Sequence, residues 1–219
     1  MTGLKLYYAP GTCSVASHVT LEEAGADYEA VRIDFTKSQQ TSPDYLKINP
    51  KGRVPALVDG DLVVTENPAI MRHIALKHPD KRLWPQDARL DARCTEWLAF
   101  MSSTVHVAFA HVRRPMRYAR SDEGQAEVVD LGRETARKVW QMVEDRLSAE
   151  AAPFALGAEI SVVDAYLLVF WNWGRTPTLG YDMAAEFPAW TRHAAMMAER
   201  PSVKAVFAEN GLTLPGAAA

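Results

Sequence analysis

The segment Leu4-Lys5-Leu6-Tyr7-Tyr8-Ala9-Pro10-Gly11-Thr12-Cys13-Ser14 puts a single thiol where it can do chemistry. A short apolar, aromatic run ends in a Pro-Gly turn, and a helical pattern opens at Cys13. Unpaired N–H groups and the macrodipole at a helix start stabilise an anion, which predicts a Cys13 pKa below the free-thiol value of about 8.5. The redox form of this layout is Cys-x-x-Cys after the first strand of a βαβ unit. Ala16 stands where the second cysteine would be, leaving a lone activated thiol. The plain alternative is an inert cysteine buried behind a turn.

Other residues with chemical potential lie further along. A cis peptide before Pro55 in Gly52-Arg53-Val54-Pro55 would turn the Val54 N–H and C=O outward, where an extended peptide can pair as an added strand. Glu66-Asn67-Pro68 reads as a helix start, with Asn67 as N-cap and Pro68 at the first helical position, and such a start suits a carboxylate. His106 shares a helical face with Ala99, Ser102 and Ser103, where an imidazole can donate a hydrogen bond or exchange a proton.

These residues need an α/β half to hold them. Val15 to Ala24 reads as a helix closing at Gly25, and Tyr28 to Phe35 alternates like a strand. A weak helical turn precedes Asn49-Pro50-Lys51-Gly52. Val54 to Asp59 and Leu62 to Thr65 form a hairpin around Gly60-Asp61, ahead of the helix ending near His78. This β-α-β, loop, β-β-α order is thioredoxin-like. Character changes at Leu83-Trp84-Pro85-Gln86-Asp87, giving expected domains 1–83 and 88–219, the second all-helical. Asp87 to Ala119 reads as one long amphipathic helix, bent or ended by Pro115. Glu123 to Glu150 follows, then Ala165 to Trp173 as a central core helix behind the acidic capping box Ser161 to Asp164. Pro188 to Glu199 and Ser202 to Glu209 are shorter helices, and 215–219 is expected to fray.

Composition narrows the class. A net charge of −3 and the lack of a Lys/Arg run argue against nucleic-acid binding. Two cysteines in 219 residues suit a reducing, cytoplasmic setting. Neither a signal-peptide pattern nor an 18-residue apolar run is present, so no membrane partner is expected.

Five motifs in this order resemble the cytosolic glutathione transferases, and most closely their bacterial beta class. They are Tyr7 to Ser14, Asn49 to Leu57, Thr65 to Ile70, Glu96-Trp97-Leu98 with His106, and Ser161 to Tyr166. The resemblance covers essentially the whole chain. It implies glutathione as co-substrate, a small electrophilic or disulfide acceptor, and a homodimer. It makes Cys13, Ser14 and His106 catalytic. It assigns ligand contacts to Lys37, Arg53, Val54, Pro55, Glu66, Asn67 and Ser103. Glu66 meets the γ-glutamyl ammonium, Asn67 the γ-glutamyl carboxylate, and Lys37 the glycyl end. Two departures stand out: Asn67 replaces a small hydroxyl residue, and Ala99 replaces an asparagine through which a partner subunit touches glutathione.

Two other readings remain: thiol–disulfide exchange in which Cys13 itself takes glutathione, and a non-catalytic binder such as the stringent starvation proteins. Cys94, Asp164, Trp171 and Trp173 read as structural, with one tryptophan edge toward the cleft. Arg113, Arg114 and Arg117, clustered near a helix bend, read as a solvated face, with a role near the acceptor site as the alternative. The histidines lack ligand spacing with the cysteines, so no metal is expected.

Overall fold

The computed structural model describes residues 3–150 and 152–216. β1 (Leu4–Tyr8) alternates buried and half-buried residues, with Leu4, Leu6 and Tyr8 facing the core. It pairs in parallel with β2 (Tyr28–Arg32) and antiparallel with β3 (Ala56–Asp59), which pairs antiparallel with β4 (Leu62–Thr65). The sheet order is β2-β1-β3-β4. α1 (Ser14–Ala24) makes the crossover between the parallel pair, closing at Gly25 with φ 60°. α2 (Pro43–Ile48) precedes the hairpin, and α3 (Asn67–Lys77) follows it.

The second half is helical. α4 (Ala88–Phe100) passes through a π-helical turn (Met101–Val105) into α5 (His106–Arg113), and Pro115 opens a 3₁₀ turn just beyond. The remaining helices are α6 (Asp122–Ala149), α7 (Val162–Gly174), α8 (Met183–Glu186), α9 (Pro188–Ala198) and α10 (Pro201–Asn210). Every residue of α7 is buried, as its apolar run requires. The capping box forms: Asp164 accepts from the Ser161 N–H and hydroxyl at 2.8 and 2.9 Å.

One core runs through both halves, from Leu4 to Phe207. α1 packs on α3 in its own half and on α7 and α10 in the other. Arg200 pairs with Glu23 across this seam, its Nη2 2.7 Å from Oε2. Trp173 Nε1 donates to the Gly11 carbonyl at 2.9 Å, so a core helix of the second half holds the turn that carries Cys13.

Several boundaries differ from the sequence reading. β2 stops at Arg32, because Asp34 caps a 3₁₀ turn instead of continuing the strand. β3 starts only at Ala56, leaving Val54 outside the ladder. Glu66, not Asn67, is the N-cap of α3, without a side-chain cap. The short α8 has no counterpart in the sequence reading. Of the tail expected to fray, 217–219 lie outside the described residues.

Candidate active site between the two halves

The β1–α1 turn presents Cys13. Gly11 adopts φ 68°, open to glycine at little cost. Thr12 Oγ1 donates to the Ala9 carbonyl at 2.8 Å. Ser14 Oγ, fully buried, donates to that same carbonyl at 3.1 Å, accepts from the Ala9 N–H at 3.3 Å, and lies 2.7 Å from Thr12 Oγ1. Its hydroxyl is used up inside the turn, so the catalytic role expected for Ser14 is corrected to a structural one.

Cys13 Sγ donates to the Val54 carbonyl at 3.7 Å, across the cleft floor. Burial pushes the thiol up to about 12, against smaller opposing pulls from the Asn67 side chain and Arg53. This direction is opposite to the depressed pKa expected at a helix start, and as a thiol Cys13 is placed to donate. With glutathione absent, iodoacetamide should alkylate Cys13 with a midpoint above the free value of about 8.5. A midpoint at or below that value would show that burial does not control this thiol.

Asn67 sits behind Cys13. Its Oδ1 accepts from buried Ser17 at 2.6 Å, and its Nδ2 donates to the Cys13 carbonyl at 2.9 Å. The side chain thus ties α3 to α1 and does not cap α3, which corrects the cap expectation. Its backbone N–H remains among the unpaired first-turn donors. Glu66 has φ 74°, a sparsely populated conformation for a residue with a side chain, and its carboxylate is exposed and paired with Lys51. Lys51 also donates to Thr65 Oγ1 at 2.8 Å.

The Val54–Pro55 peptide is cis, as the sequence reading expected. Among the described residues the Val54 N–H has no partner. Asn49 Nδ2 and Tyr45 Oη, each at 2.6 Å, hold the Arg53 carbonyl and so fix the segment that leads into Val54.

His106 opens α5 and meets Trp173 edge-on, with ring centroids 5.0 Å apart. Burial, then the charges of Arg53 and Arg117, lower its pKa to about 4, so the ring is neutral near pH 7. As pH falls below 6.5 the unfolded chain takes up this proton before the folded one. The stability is therefore complete above about pH 6.5 and drains away towards about 4. Thermal melts of His106→Gln should lose this part of the acid slope; parallel curves for parent and variant would contradict it.

Cys13, Arg53, Val54 and His106 line one cavity of about 1060 Å³ between the halves, and Lys51 and Trp173 line it as well. Pro55, Glu66 and Asn67 do not line it, although Asn67 bonds the Cys13 carbonyl beside it, and Lys37 and Ser103 lie farther off. Lys37 is exposed and points back toward Asp34, with Nζ 3.8 Å from its carboxylate. Ser103 is exposed, bonds the Ala99 carbonyl at 2.8 Å, and lines a separate depression with Phe100 and Met142. The π turn explains this: its wider winding rotates α5 relative to α4, so Ala99 and Ser103 do not share the face of His106. Among the described residues, no group of three or more His, Cys, Asp or Glu could hold a metal ion.

Residues 2–76 match the family model for the glutathione S-transferase N-terminal domain, and 100–201 the one for the C-terminal domain. The chain belongs to the glutathione S-transferase family. It is 32% identical to glutathione S-transferase GstA of Escherichia coli O157:H7 over 212 residues, covering 95% of this chain and 100% of the relative. A glutathione transferase homologue from Sulfitobacter, solved with bound glutathione, matches with a TM-score of 0.89 at 38% identity, covering 97% and 100%. The beta-class glutathione S-transferase of Sphingomonas chungbukensis matches at 0.80 and 34%, covering 95% and 100%.

For a transferase of this family, the sequence reading missed Lys51 and gave the arginines of the second half a place near the acceptor site only as an alternative. Lys51 was visible inside its motif, but its reach to Glu66 depends on the β3–β4 hairpin. Arg113, Arg114 and Arg117 are exposed, as a solvated face requires, and each also lines the open side of the cavity, beside the 3₁₀ turn at Pro115.

Proposed function

We propose that this protein transfers glutathione to small electrophiles in the cavity between its halves. The observation that carries this reading is the meeting of Cys13 and Val54 in one cleft, with the start of α3 bonded to the Cys13 carbonyl beside it. An extended tripeptide lying along Val54 pairs with its free N–H. The γ-glutamyl carboxylate takes the open N–H groups at the start of α3, and Glu66 takes the ammonium. The glycyl carboxylate, at the other end of the tripeptide from Glu66, lies against Arg53. This pose sets the glutathione sulfur beside Cys13, whose protonated thiol donates a hydrogen bond to it.

A donor aimed at the sulfur lowers the free energy of the glutathione thiolate, the attacking species. Carbon–sulfur bond formation expels the leaving group of the electrophile, and the thiol proton goes to solvent. Neutral His106 can accept or donate at the cavity wall. The raised Cys13 thiol weighs against exchange through Cys13, which needs a thiolate.

In this reading residues 1–83 bind glutathione and 88–219 shape the acceptor site. Two copies pair about a twofold axis, covering exposed Leu90, Leu131 and Met142. A reducing cytoplasm fits both free thiols. Purified protein should conjugate glutathione with 1-chloro-2,4-dinitrobenzene above the uncatalysed rate, and Cys13→Ala should slow this. Activity in neither parent nor variant would remove the transferase reading. Sedimentation should give about twice the 24.3 kDa of one chain; a monomer at micromolar concentration would remove the pairing.

A further inference from the structure

The acceptor side of the cavity carries more positive charge than glutathione uses. Arg113, Arg114 and Arg117 line it from the helical half, facing Lys51 and Arg53 from the other. No carboxylate residue lines the cavity. Among the described residues, none of the guanidinium groups of Arg53, Arg113, Arg114 and Arg117 bonds a protein carboxylate, whereas Arg93, Arg137, Arg146 and Arg200 each do. One cation near the end of α5 would be ordinary helix-end electrostatics. Three lining a cavity that already holds Arg53 repel one another, Lys51 being paired with Glu66, and desolvation together with Arg53 and Arg114 lowers the pKa of Arg117. Such crowding is relieved by an anion.

Glutathione brings two carboxylates, and each already has a place, at the start of α3 and, at the other end of the tripeptide, against Arg53. The three arginines are left over. Phe109 and Trp173, stacked on each other with centroids 4.3 Å apart and planes 23° from parallel, line the same cavity and give it an aromatic wall. We infer that the acceptor is a planar, carboxylate-bearing electrophile, its ring on Phe109 and Trp173 and its anion held by Arg113, Arg114 and Arg117. This rests on the transferase reading above. In the conjugation of an aryl chloride, the glutathione sulfur bonds the ring carbon, chloride leaves with the bonding pair, and the thiol proton passes to solvent. The carboxylate is unchanged and serves only to bind.

The test compares 1-chloro-2,4-dinitrobenzene with its carboxylated counterpart, 4-chloro-3,5-dinitrobenzoate. The enzyme's ratio of kcat/KM for the two, divided by their uncatalysed rate ratio, should favour the benzoate by roughly tenfold or more, the size of one charge-assisted contact. Added salt should erode that preference. In Arg113→Met/Arg114→Met/Arg117→Met the normalised ratio should fall towards one, and a general loss of activity cancels from it. A normalised ratio near one in the parent overturns the inference. So does an unchanged ratio in the variant with a raised KM for glutathione, which would hand the arginines to glutathione instead. Should neither chloride react, the transferase reading fails, and titration with the two preformed glutathione conjugates still decides. Preferential binding of the carboxylated conjugate, lost in the single variants Arg113→Met and Arg117→Met, supports the inference, and equal binding overturns it.

Discussion

Asp164→Ala should cost about 3–5 kcal/mol of folding stability, the range for breaking a buried, hydrogen-bonded charge network. The Asp164 carboxylate is wholly buried and accepts four bonds. They come from the Ala155 N–H at 2.9 Å, the Ser161 N–H at 2.8 Å, the Ser161 hydroxyl at 2.9 Å and His193 Nε2 at 2.8 Å. Alanine leaves all four groups without a partner in a dry interior, at the start of the helix on which the second half is built. A melting point lower by roughly 6–20 °C follows for a chain of this size. Asp164→Asn should be nearly as harmful, because its amide presents hydrogens to groups that are themselves donors. A loss of less than about 1 kcal/mol in the alanine variant would mean that the surroundings repack around the missing carboxylate.

Glu66→Ala should weaken glutathione binding by about 1.5–3 kcal/mol, the range for a hydrogen bond to a charged group. The carboxylate is exposed and held by Lys51, so its removal should leave the fold intact. Its positive φ supplies a sharper control. Glu66→Gly removes the same carboxylate while relieving backbone strain of about 1–3 kcal/mol, so this variant should be at least as stable as the parent yet bind as poorly as alanine. Calorimetric titration with glutathione, beside thermal melts, separates the two quantities. Parental affinity in both variants would show that the γ-glutamyl ammonium is held elsewhere. Asn67→Ala should act differently, losing stability because the link from α3 to Ser17 and the Cys13 carbonyl is cut.

Elements governed by backbone and hydrophobic period were legible in the sequence. β1, the Gly25 stop of α1, the capping box and the buried run of α7 all rest on local rules that tertiary contacts reinforce. The motif around Val54 and Pro55 likewise brought backbone to the right place. Properties that depend on where a side chain points were not legible. Lys37 and Lys51 are both lysines in ligand-side loops, and only the folded hairpin brings one of them to Glu66. The Cys13 thiol looked activated from its position, but desolvation, which local sequence does not reveal, pushes its pKa the other way. The π turn left no mark in the spacing, because the apolar positions of α4 and α5 each follow their own helical period.

That turn also makes register a variable of its own. Each residue of an α-helix advances the chain by about 100° and 1.5 Å, so deleting one residue between Met101 and Val105 would swing everything beyond it by more than a quarter turn. His106, Phe109 and Arg113 would leave the cavity together, while Cys94 and Trp97 upstream kept their places in the core. For this site, one codon lost or gained in a five-residue window outweighs most substitutions, and it would re-aim a whole wall of the cavity in a single step.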